Sequence, residues 1–70
     1  MNGVTIDELN IMYETTFKDW NKDFKIPKRE PNELLMDIEQ GNIQIPNERQ
    51  DEVKTTLQKF ILFWQIILAE

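Results

Sequence analysis

Four oxygen-bearing side chains, Asp19, Asn21, Asp23 and Glu30, stand at the first, third, fifth and twelfth places of the stretch DWNKDFKIPKRE, residues 19–30. Carboxylate and amide oxygens at that spacing are what a hard cation such as calcium takes from one loop. Nothing else in the chain offers chemistry as specific. It has no cysteine, no histidine and no serine. Thiolate and imidazole metal sites and the usual nucleophile–base pairs therefore cannot be assembled. Gly3 and Gly41 stand alone, so there is no glycine-rich phosphate loop. Asp7–Glu8 and Asp51–Glu52 read as first-turn helix charges before they read as acid–base dyads. The sequence assigns no catalytic residue and no cofactor, and the chain reads as non-enzymatic.

The 19–30 segment resembles a degenerate EF-hand over twelve residues, with Ile26 at the eighth place, where that motif favours an apolar side chain. The resemblance implies a calcium binder at residues 19–30. The segment departs from the motif at the sixth place, where Phe24 replaces glycine. A left-handed backbone costs a non-glycine residue about 1–2 kcal/mol. Pro27 stands at the ninth place, and Lys25, Lys28 and Arg29 bring three positive charges beside the would-be dication. Phe24 also falls four residues after Trp20 on an apolar stripe. A helix running through it carries Asp19 and Asp23 outward as an i,i+4 pair and not round an ion. The expectation is a helix end entering a linker, with no metal.

The elements that would hold these residues are three helices: long, short and long. The first opens on a T-x-x-E capping box, Thr5 and Glu8. Ile6, Leu9, Tyr13, Phe17, Trp20 and Phe24 follow at steps of three and four, which puts them on one stripe. Ile11 lies on the opposite, charged face as a scattered apolar residue or a partner anchor. Ile26 precedes Pro27 and is steered out of helical angles. After IPKREP, Asn32 is the expected N-cap of a short helix carrying Leu34, Leu35, Met36 and Ile38, with Gly41 as its stop. Ile43 and Ile45 are expected to tuck an extended connection against the helices. The third helix is expected to open on an N-x-x-Q cap, Asn47 and Gln50. Val53, Leu57, Phe60, Ile61, Trp64, Ile67 and Leu68 fill its main face. The expected spans are about 6–25, 32–40 and 48–69 in one all-α domain. Trp20 and Trp64 lie on apolar stripes and read as core.

At 70 residues the core is small and the domain marginal alone. With no disulfides, a partner chain is the support left most open. The second half of the third helix, FILFWQIILA, is apolar almost all round. Ten residues span about 15 Å, half a bilayer's hydrocarbon core, so no membrane span is expected. Leu62, Phe63 and Ile66 point away from the main face, where two neighbouring helices cannot cover them. These three are the expected contacts of a homodimer. The alternative is a monomer whose other segments cover them.

The formal net charge is −5, from 13 acids against 8 bases, which disfavours direct nucleic-acid binding. No base occurs between Arg29 and Arg49. Glu30, Glu33, Asp37, Glu39, Glu48, Asp51 and Glu52 are the candidate partner-binding residues, and a merely solvated surface is the competing reading. The sequence points to a small acidic protein-interaction module, a homodimeric regulator or inhibitor. It would occupy a basic surface on a partner protein, of the kind that holds nucleic acid. The alternatives are a structural subunit docking its apolar C-terminal helix into a larger assembly, and the degenerate calcium binder. The start, MNGVTIDEL, lacks the basic and apolar regions of a secretory signal, and cysteine is absent. Both fit a cytoplasmic setting.

Overall fold

The computed structural model describes residues 5–69. The chain forms α1 (Ile6–Asp23), α2 (Pro31–Glu39) and α3 (Asn47–Ala69), with no strand among the described residues. The all-α, long–short–long expectation holds.

α1 begins where its cap dictates. Thr5 is extended, and its hydroxyl accepts the Glu8 backbone N–H at 3.1 Å. Leu9, Tyr13, Phe17 and Trp20 are buried along one face, with Asp7 and Glu8 in the first turn at the positive end of the dipole. The helix ends one turn after Trp20. Phe24 leaves it with an extended backbone while donating its N–H to the Trp20 carbonyl. Its ring stays buried, so the apolar stripe outlasts the helix by one residue. Ile26 is buried as well, and its N–H is taken by the Asn21 side-chain oxygen at 3.3 Å.

Two caps differ from expectation. α2 starts at Pro31, not after Asn32, with Glu30 as the capping residue and no side-chain cap bond. Proline at the first helical position loses nothing, because that N–H has no partner inside a helix and its φ is already helical. α3 likewise starts at Asn47 and not behind it. The Asn47 side-chain oxygen accepts from the Gln50 amide at 3.3 Å, and that amide also reaches the Ile45 carbonyl. The N-x-x-Q pair thus ties the helix to the preceding loop.

α2 ends as read. Gly41 has φ 78°, the Gly41 N–H meets the Ile38 carbonyl, and the Asn42 N–H meets the Asp37 carbonyl at 2.9 Å. That double closure is a Schellman motif. A Cβ at Gly41 would meet nothing within 4 Å, so substitution costs backbone strain alone. Gly41→Ala is expected to destabilise by about 1 kcal/mol, lowering the thermal midpoint by roughly 4–8 °C. A circular-dichroism melt with no shift would contradict the strain argument.

The core joins all three helices and the loop between α2 and α3. Leu9, Leu34, Val53 and Leu57 are its most enclosed members, with Ile45 buried beside them. Tyr13 meets Phe60 edge-on at 5.2 Å and Trp64 at 5.7 Å. α1 and α3 run antiparallel. At the opposite end Arg49, in the first turn of α3, bonds Asp23 at 2.6 Å and Glu52 at 3.0 Å, with its guanidinium over the Phe24 ring.

α3 outruns its neighbours. Its 23 residues rise about 34 Å, essentially the molecule's 35 Å long dimension. Its fully buried side chains stop at Phe60. Leu68, expected on the packed face, is 72% exposed. The start of α2, at Pro31 and Asn32, lines the same depression as Leu68 and leaves it uncovered.

Candidate functional site

The oxygens of Asp19, Asn21, Asp23 and Glu30 do not form a metal-binding group. Asp19 pairs with Lys22 at 3.8 Å within α1, Asn21 holds the Ile26 N–H, and Asp23 is bound to Arg49. Glu30 caps the next helix. No group of three or more acidic side chains among the described residues is placed to hold a metal ion.

The seven candidate partner-binding carboxylates separate into distinct settings. Asp37 is engaged by Arg29 at 3.4 Å, beside a shallow depression that also includes Lys25 and Ile43. Glu52 belongs to the Arg49 bridge that joins α1 to α3. Glu39, Glu48 and Asp51 are exposed, with no ion pair among the described residues. Glu30 and Glu33 both line a groove.

That groove lies between α1, the start of α2 and the second half of α3, with a volume of about 640 Å³. Tyr13, Pro31 and Trp64 form its apolar wall, and Asn10, Glu30 and Glu33 give it polar edges. Lys28 and Arg29 also line it, but neither charge is free. Lys28 is bonded to Glu14, which holds that carboxyl below its ordinary range, and Arg29 faces Asp37. Sequence reading set these two bases, with Lys25, beside the would-be dication. It missed the groove because Asn10, Tyr13 and Trp64 lie far from residues 28–33 along the chain.

The Tyr13 hydroxyl donates to the Arg29 carbonyl at 2.7 Å and so fastens the linker to α1. Burial, and after it the negative charge of Glu30, pushes the Tyr13 phenol up to about 12 from its ordinary value of 10. The folded chain therefore holds this proton more tightly than the unfolded chain does. The resulting stability is complete below pH 10 and is lost as pH rises through 12. In Tyr13→Phe, urea midpoints measured from pH 9 to 12 should fall less steeply than in the unaltered chain. Equal slopes would show that the phenol titrates freely.

The three side chains expected at a dimer contact lie on the projecting half of α3. Leu62 is 53% exposed and Ile66 36%, while Phe63 is half-buried and packs against the core. Neither α1 nor α2 encloses Leu62 and Ile66, so they remain open to a second molecule. Ile11 and Met12 on α1 are also exposed. No helix among the described residues is long and apolar enough to cross a membrane. No family model matches the chain, and neither a curated protein nor a solved structure matches it.

Proposed function

We propose that this chain is a non-enzymatic protein-interaction module, a homodimer joined through the second half of α3 that offers carboxylates to a basic surface on a partner protein. The observation that carries the reading is how the charges are partitioned. Arg29 and Arg49, the two arginines that flank the candidate face along the chain, are both engaged by carboxylates, whereas Glu30, Glu33, Glu39, Glu48 and Asp51 have no ion pair among the described residues and outnumber the similarly unpaired Lys25 and Lys54. Part of the net charge of −5 thus lies between Glu30 and Asp51. Spaced free carboxylates act on a basic surface as phosphates do, by long-range attraction that salt screens.

The second copy is the favoured occupant of the apolar stub for an electrostatic reason. Residues 60–69 contain no charged side chain. Two acidic molecules repel over most of their surfaces, and here they can meet without opposing like charges. A two-fold antiparallel pairing sets Leu62 of one copy near Ile66 of the other, a self-complementary contact. The same stub also favours a second reading, a structural subunit whose α3 docks into a larger assembly. That subunit would aggregate or stay partly unfolded when alone, whereas the dimer is discrete and stable.

The partner reading is tested with fluorescent octa-arginine as a defined basic probe. The chain should bind it and release a DNA duplex from it. Its Kd should rise at least tenfold between 50 and 300 mM salt. The triple variant Glu39→Gln, Glu48→Gln, Asp51→Asn should bind at least fivefold more weakly. Binding indifferent to salt or to the triple change would overturn the reading.

A further inference from the structure

We infer that the groove between Tyr13, Pro31 and Trp64 is a receptor for a single arginine side chain of the partner protein, its guanidinium laid against the Trp64 indole and bonded to Glu30 and Glu33. The inference rests on the proposed recognition of a basic partner and names where one residue of that partner is read.

The sign of the ligand's charge follows from which groups are already engaged. Lys28 is bonded to Glu14 and Arg29 faces Asp37, so both cations at the rim have their counter-charges. Glu30 and Glu33 have none among the described residues. Glu30 caps α2 with its backbone only, so its carboxylate is not spent on the helix end. The α2 N-terminus does bring a positive dipole end of about half a charge to the same region. Two carboxylates outweigh it.

The shape and the wall select arginine among cations. Trp64 is half-buried, with Tyr13 and Phe60 packed against it, so the indole is held in place and not folded away. An indole held beside carboxylates that have no ion pair among the described residues suits a planar cation that stacks on its face and donates in its own plane. Lysine is a compact, strongly hydrated point charge and gains less from such a wall. The Asn10 amide, also on the rim, can accept a further guanidinium hydrogen. The three-carbon stem of arginine covers the Tyr13–Pro31 portion of the wall, as amphipathic side chains do on apolar surfaces.

The test uses the full chain, ¹⁵N-labelled, titrated with two short blocked peptides that differ only in a central arginine or lysine. The two indole N–H signals report separately, because Trp20 is buried in the core and Trp64 lines the groove. The arginine peptide should shift the Trp64 signal and leave Trp20 in place, with a Kd at least fivefold below that of the lysine peptide. The variant Glu30→Gln/Glu33→Gln, altered only at exposed positions, should keep the unliganded spectrum and weaken arginine binding at least tenfold. Equal binding of the two peptides, or unchanged binding in the double variant, would overturn the groove. If octa-arginine still binds the double variant tightly and shifts amides around Glu39, Glu48 and Asp51 only, the groove falls while the basic-partner reading stands. If neither peptide nor octa-arginine binds the unaltered chain, both fall.

Discussion

Leu34→Ala is expected to remove a large share of the chain's stability at 25 °C. Leu34 has no exposed surface and is the most enclosed side chain of α2. Truncating a buried leucine to alanine costs about 2–5 kcal/mol, the upper end applying where the surroundings cannot collapse into the space. Collapse is hindered here, because α2 is held from above by the Pro31 start and from below by the Gly41 closure. A nine-residue helix has no independent stability in water, so its order depends on the packing that Leu34 provides. Natural domains carry roughly 0.05–0.15 kcal/mol per residue, about 4–10 kcal/mol for a chain of this length. The expected loss is therefore a large share of the total, and all of it if the chain's stability lies at the low end of that range. Urea unfolding followed by circular dichroism measures it. Met36→Ala on the same helix is the control, since that side chain is 57% exposed and its loss should stay within about 0.5 kcal/mol. Similar midpoints for the two variants would mean that α2 is not anchored as described.

The second large effect is on association. In the isolated chain Leu62 and Ile66 are largely open, so Leu62→Glu/Ile66→Glu should leave each protomer folded. In the dimer the same two changes place four carboxylates where apolar side chains met. Burying such apolar side chains is worth about 1.5–3 kcal/mol each, and an unpaired charge in their place adds a desolvation cost. The dissociation constant should rise at least 100-fold, equivalent to about 2.8 kcal/mol. Sedimentation equilibrium of the unaltered chain should show a dimer at tens of micromolar and the double variant a folded monomer. A monomeric unaltered chain at 500 µM would sink the dimer. A polydisperse or partly unfolded one would favour the structural subunit.

These two predictions differ in how far the sequence alone reaches them. The helices, their order and their buried faces follow from local rules. Thr5 bonds a backbone N–H three residues on, Gly41 takes the left-handed conformation one residue past a C-cap, and the apolar side chains of α1 recur at helical spacing. Each signal spans a turn or two of chain, so each can be read along the chain. On α2 the sequence named Leu34, Leu35, Met36 and Ile38 alike, and only the fold separates buried Leu34 from exposed Met36. Cap positions proved less legible: proline at the first position of α2 overrode Asn32, because a fixed φ without an N–H suits that place better than a side-chain acceptor.

What the sequence determined by itself is an acidic, three-helix chain without thiol, imidazole or serine hydroxyl, whose last helix is greasier than one face requires. The tertiary structure decided which of its described charges pair with one another and where its grooves lie. Arg49 meets Asp23 across 26 residues of chain, Lys28 meets Glu14 across 14, and Tyr13 fastens to Arg29 across 16. Periodicity holds no information about such pairs, because it fixes the face a residue occupies and not which distant face comes opposite. The same holds for Leu68, whose exposure depends on what the folded chain places beside it. Carboxylates without an ion pair among the described residues, the groove beside Trp64 and the exposed Leu62 and Ile66 are all consequences of helix length and docking, which only the folded chain sets.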